Sequence, residues 1–200
     1  MERQYATVWN MSRLSREDWA QAGLEAIATG GVSAVSVEPL AARLGATKGS
    51  FYWHFSARDE LVVAALALWE ERSTTSVIAG LEATGASAKD RLSMLFCRVF
   101  DPETLTGADV SLLSHVGDPP VRDALNRVTA ARIRYVAALL RECGLPPRTA
   151  RRRAVFAYSA FLGHLHLRHS TPDLLRSSVG PVRRYAEEVI DALLVTDSPR

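Results

Sequence analysis

Apolar side chains recur at helical spacing along almost all of the 200 residues, and the alternation of a half-buried strand is nearly absent. Glycine and proline break the pattern into segments, so the chain is expected to be all-α. Residues 16–30 place Trp19, Ala22, Gly23, Ala26 and Ile27 along one stripe, and "TGG" at 29–31 stops that helix. Ser36 is placed to cap a short helix carrying Val37, Leu40, Ala41 and Leu44, with Pro39 tolerated in its first turn and Gly45 at its end. Thr47 is placed to cap a third helix running to about Phe55. Ser56 opens a fourth that continues for several turns before Gly80 and Gly85. Helices over 87–100, 109–116, 121–143, 147–167 and 181–194 complete a count of nine, with "GDPP" and "GLPP" bounding the longest. The first three form a compact unit, residues 1–57, in which 1–12 is an arm or extension; residues 58–200 form a helical bundle.

The chain is long enough to bury a substantial core, and its 48% hydrophobic and 23% charged residues are ordinary for a globular protein. No apolar run approaches the roughly 18 residues that span a bilayer, and "MERQYATVWNMSRLSRED" has no signal-peptide core, so no membrane association and a cytoplasmic location are expected. Cys97 and Cys143 lack metal-ligand or CxxC spacing and read as small hydrophobes. His164, His166 and His169 are spaced around a helix rather than along one face, unlike a zinc-type pair four residues apart. With no glycine-rich phosphate loop and no G-x-S-x-G, neither an enzyme nor a cofactor or metal site is expected.

The densest chemistry lies in "TKGSFYWHF", residues 47–55. Two short helices joined by "LGAT" are the pattern of a helix-turn-helix, whose second helix lies in the major groove of DNA. On that helix Phe51 and Phe55 are four apart and share a face toward the core. Lys48, Ser50, Tyr52, Trp53 and His54 cannot all face inward with them. Gly49 removes a side chain where a backbone would approach DNA closely. Residues 1–60 hold six basic and seven acidic residues, but from Pro39 to Arg58 there are three basic residues (Arg43, Lys48, Arg58) and no acidic one. The positive patch is therefore local to the candidate reader. The same pattern also fits an aromatic turn inside an all-helical core, since helix-turn-helix geometry occurs in proteins that ignore DNA.

"GVSAVSVEPLAARLGATKGSFYWHFSARDELVVA" resembles the DNA-binding region of the TetR family of bacterial transcriptional repressors, with the likeness running from about Leu14 to Trp69. The resemblance implies an all-α homodimer that binds palindromic double-stranded operator DNA and is released by a small molecule held in the C-terminal bundle. An alternative is a DNA-binding regulator or activator without a small-molecule trigger. Carried over position by position, DNA contacts are implied for Thr47, Lys48, Gly49, Ser50, Tyr52, Trp53 and His54, with Ser36 and Arg58 added. One departure is Glu38, followed by Pro39, where many relatives carry a basic or small polar residue. An acid there repels phosphate, or alternatively accepts from a cytosine N4 amine.

In the bundle, Trp69, Phe96, His115 and Tyr135 combine an apolar body with a mid-helix position and are the preferred lining of a largely apolar effector site, with plain core packing the alternative for each. Arg132 falls on the 121–125–128–132–135–139 stripe, where a buried cation could meet an acidic ligand. The last two helices are expected to form the homodimer: Ala157, Ala160 and Gly163 allow close approach, and Val182, Ala186, Val189, Ile190 and Leu193 form a stripe.

Overall fold

Ser15 opens the first helix with a reciprocal cap: its hydroxyl accepts from the Asp18 amide, and Asp18 Oδ2 accepts from the Ser15 amide at 2.7 Å. This is a computed structural model that describes residues 14–101 and 108–195; the arm or extension expected over 1–12 lies outside them. Two compact units divide at Leu68/Trp69, inside the fourth helix. The first contains α1 (Arg16–Gly30), a 3₁₀ turn (Val32–Ala34), α2 (Val37–Arg43), α3 (Lys48–Tyr52) and most of α4 (Arg58–Glu70). Its core joins Trp19 and Ile27 of α1 to Phe51, Phe55 and Leu61, all essentially inaccessible. Gly23 lets α1 approach closely, since a Cβ there would lie 3.3 Å from Ala65 Cβ and from two Leu61 carbons.

In the second unit, α4 passes through a π-helical turn (Glu71–Thr75) into α5 (Ser76–Ala83), and α6 (Ala88–Phe100) and α7 (Ala108–Ser114) follow. Two 24-residue helices, α8 (Pro119–Glu142) and α9 (Pro147–Ser170), pack against each other, followed by α10 (Pro172–Val179) and α11 (Val182–Leu194). Phe96 and Phe100 of α6 pack with Leu139 and Leu140 of α8, with Ala150 and Ala154 of α9, and with Ile190 and Leu193 of α11. Arg91, at the buried edge of this core, is held between the carboxylates of Glu82 and Glu142.

The described residues are all-α, as the periodicity requires, and no helix among them is long and apolar enough to cross a membrane. Residues 58–83 form one continuous helical run, so among the described residues ten α-helical runs stand where nine were expected. The additional one is α10. Its "STPD" reads as a break, yet Pro172 occupies the first helical position, where a missing N–H costs nothing and the fixed φ suits the helix. Helix α3 ends at Tyr52, short of Phe55, because the Phe51 carbonyl takes both the His54 and the Phe55 amides. The stripe assigned to dimerisation in the last helix also differs: Ala186, Ile190 and Leu193 are buried in the chain's own core, so α11 turns Arg183, Arg184, Glu187 and Glu188 outward. Helix α9 instead leaves Val155, Phe156 and Leu167 exposed.

Candidate functional site

The turn between α2 and α3 is set by the backbone. Gly45 adopts φ +63°, the left-handed region glycine enters at no steric cost, and the Ala46 amide reaches back to the Ala41 carbonyl at 2.8 Å. Thr47 then caps α3, its hydroxyl accepting from the Ser50 amide at 3.2 Å. Phe51 anchors this short helix: its ring meets Trp19 edge-on with centroids 5.4 Å apart and stacks on Phe55 at 5.4 Å. With that face buried, its neighbours are turned outward. Tyr52 is 55% and Trp53 80% exposed, the latter an unusual placement for so large an aromatic ring. Thr47, Lys48 and Gly49 are exposed as well, and Ser50 and His54 partly so. A Cβ at Gly49 would meet only Thr47 Oγ1, at 3.7 Å, so no intramolecular crowding calls for glycine there.

The remaining candidates sit around this surface in different roles. Ser36 precedes α2, is exposed, and makes no side-chain cap bond. Arg58, in the first turn of α4, donates from Nε to the Val35 carbonyl at 2.7 Å, from Nη2 to the Val32 carbonyl, and from Nη1 to Asp59 at 3.1 Å. It thereby ties the 3₁₀ turn before α2 to α4. Arg43 likewise donates to the Ala22 carbonyl and pairs with Glu25. The acid-free window from Pro39 to Arg58 does not survive folding: Glu38 of α2 lies 2.8 Å from Lys48 Nζ. The hydrogen bond from Lys48, reinforced by its charge, holds the Glu38 carboxyl below the usual carboxylate range, and the same contact raises Lys48. The lead cation of the reader therefore has an anionic partner already, which linear charge counting misses.

In the bundle, the five candidate effector residues divide. Arg132 and Trp69 come together, the guanidinium carbon 5.9 Å from the Trp69 ring centroid and 5.6 Å from that of Phe161. Arg132 Nε donates to Thr74 Oγ1 at 2.9 Å, and Nη2 donates to Ser73 Oγ at 3.0 Å and to Asp109 Oδ1 at 3.1 Å. The pair is buried, with side-chain exposures of 16% for Arg132 and 5% for Asp109. The π turn presents Ser73 and Thr74 to this cation, a local geometry often found at functional sites. Trp69 Nε1 is buried here without a hydrogen-bond partner. Phe96 and Tyr135 belong instead to the core around Leu139, where burial, reinforced by Glu82, pushes the Tyr135 hydroxyl to about 12. His115, just past α7, places Nδ1 2.7 Å from the Ser111 carbonyl. Asp109, Ser73 and Thr74 escape sequence reasoning because single polar residues in helices carry no periodic signal; a lone acid in the apolar "ADVSLLS" was the one available cue.

His164 is buried in α9 between the rings of Phe100 (4.7 Å) and Tyr185 (5.7 Å). The helix continues to Ser170. Among the described residues, no three His, Cys, Asp or Glu side chains gather into a potential metal site.

Comparison with known proteins places this geometry. The family model described as "Bacterial regulatory proteins, tetR family" matches residues 21–72, which span most of α1 through the start of the π turn. No sequence among the curated proteins matches the chain. Among solved structures, the fold is similar to that of the reduced form of E. coli NemR, with TM-score 0.70 and 18% identity over 92% of this chain and 99% of that one. It is similar to SmeT, the repressor of the Stenotrophomonas maltophilia multidrug efflux pump SmeDEF, with TM-score 0.63 and 20% identity over 90% and 89% of the two chains. A transcriptional regulator from Saccharomonospora viridis in complex with choline matches with TM-score 0.64 and 19% identity over 88% and 93%.

Proposed function

We propose that this chain, a TetR-family regulator with its family domain at residues 21–72, is a cytoplasmic, ligand-responsive transcriptional repressor that binds palindromic operator DNA as a homodimer. The observation that carries the reading is the division of α3. A fully buried Phe51 fixes the helix, while Lys48, Gly49, Tyr52 and Trp53 are offered to solvent beside it. Thr47, Lys48, Ser50, Tyr52 and His54 put hydroxyl, ammonium and imidazole groups on this surface, the donor types that meet phosphate oxygens and base edges. In this reading Thr47, Ser50, Tyr52 and His54 contact phosphates and Lys48 a base edge, with Ser36 at the margin of the site and Arg58 positioning the turn.

The effector acts from the second unit, where Trp69, Arg132, Phe161 and Asp109 combine ring faces, a buried ion pair and an unpartnered indole N–H. Binding shifts the population of dimers away from the spacing that two major grooves require. The exposed Val155, Phe156 and Leu167 of α9 supply the dimer surface. Fluorescence-anisotropy titration of the protein against duplexes from its own promoter region tests the reading. Lys48→Ala with Tyr52→Ala should abolish specific binding, and unaltered affinity would refute the assignment.

A further inference from the structure

Glu38 and Lys48 come from different helices, α2 and α3, and both are exposed on the surface of the first unit. Their charged atoms are 2.8 Å apart, so the free protein presents a cationic donor and an anionic acceptor side by side. A phosphate has nothing to offer the acceptor, and a carboxylate next to Lys48 repels it. A base pair is different. Where guanine O6 and cytosine N4 are joined in the major groove, an acceptor and a donor are held together by a hydrogen bond of about 2.9 Å. That spacing matches the ion pair.

We propose that Glu38 and Lys48 act as one unit that reads a single G·C base pair, Lys48 donating to guanine O6 and N7 while Glu38 accepts from cytosine N4. The inference rests on the DNA-binding reading above and assigns Glu38, an acid in an otherwise phosphate-seeking surface, the role of a specificity-determining residue. The order of groups along the groove edge decides between base pairs. Guanine places a second acceptor, N7, under the lysine, and cytosine has only C5–H beside its amine. With A·T in register, donor and acceptor still pair, but adenine N7 faces the Glu38 carboxylate and the thymine methyl crowds the ammonium. Both penalties fall on charged groups that already lost water to enter the groove. Reversing the pair puts the cytosine amine against Lys48 and is worse still. The ion pair survives in the complex: Lys48 has three N–H donors, enough for Glu38, O6 and N7.

The experiment is selection of randomised duplexes by the full-length protein, by Glu38→Ala and by Lys48→Ala, followed by titration of the selected site and its single-pair variants. Both side chains are exposed, so both variants fold; melting curves verify this. The wild type should enrich one invariant G·C pair in each half-site, and replacing it with A·T should weaken binding on the order of tenfold. Glu38→Ala and Lys48→Ala should each lose the preference at that position and retain it elsewhere. If Glu38→Ala keeps the same site and binds all duplexes more tightly, Glu38 is only an electrostatic brake and the proposal is overturned. If the wild type enriches no sequence, the operator reading itself falls with it.

Discussion

The Arg132–Asp109 pair gives the sharpest test of how the second unit is held together. Both groups are withdrawn from water, and each is the other's counter-ion. Replacing Asp109 with Leu leaves a buried guanidinium with no negative partner, a change that typically costs about 3–5 kcal/mol. Arg132 keeps Thr74 Oγ1, Ser73 Oγ and the Ser73 carbonyl as acceptors, and keeps the ring faces of Trp69 and Phe161. The low end, about 3 kcal/mol, is therefore expected, or roughly 6–12 °C in melting temperature at about 2–4 °C per kcal/mol for chains of this size. Arg132→Met should cost at least as much, because the stranded carboxylate at position 109 is the more deeply buried of the two. The double variant Asp109→Leu/Arg132→Met exchanges the ion pair for apolar contact with the neighbouring rings and should lie within about 1 kcal/mol of the wild type. Urea unfolding of all four proteins, followed by helical circular dichroism, closes a double-mutant cycle. If the double variant falls within about 0.5 kcal/mol of the sum of the singles, the two side chains do not stabilise each other and the account of this site is wrong.

Two further outcomes follow from the packing. Gly23→Leu should destabilise the first unit by about 1–3 kcal/mol, because even a Cβ would stand 3.3 Å from Ala65 and Leu61; a melting temperature unchanged by the substitution would show that α1 and α4 are not in the tight contact described. Stability should also fall with pH through His164. Burial, and Arg168 after it, hold its imidazole below the ordinary value of 6.5, while the Phe100 backbone pulls the other way. A group whose folded pKa is depressed in this way binds protons more readily when unfolded, so its contribution is complete above pH 6.5 and is lost as pH falls below that value. His164→Leu should flatten the slope of unfolding free energy between about pH 6.5 and 5; an unchanged slope would place the titrating group elsewhere.

How much of this was legible beforehand depended on the range over which each interaction acts. The helices and the inward face of α3 were readable because periodicity is a local property: Phe51 and Phe55 sit four apart, and any helix must place them together. Thr47 as a cap and Gly45 as a turn residue are similarly local, each being settled within four positions. What sequence could not supply were pairings between distant elements. The window from Pro39 to Arg58 is free of acid in the sequence, yet folding brings Glu38 to Lys48 across the α2–α3 turn, so the patch is positive by count and a dipole by geometry. Arg132 was visible as a cation on an apolar stripe, but its partners come from the π turn 58 residues earlier and from α7 23 residues earlier. The apolar stripe of α11 shows the same limit from the other side. Periodicity established that Ala186, Ile190 and Leu193 would be buried, and was silent on whether another copy or the chain's own α6 would bury them. A one-dimensional pattern fixes which face of a helix needs a partner, and only the three-dimensional arrangement decides which partner is near enough to meet it.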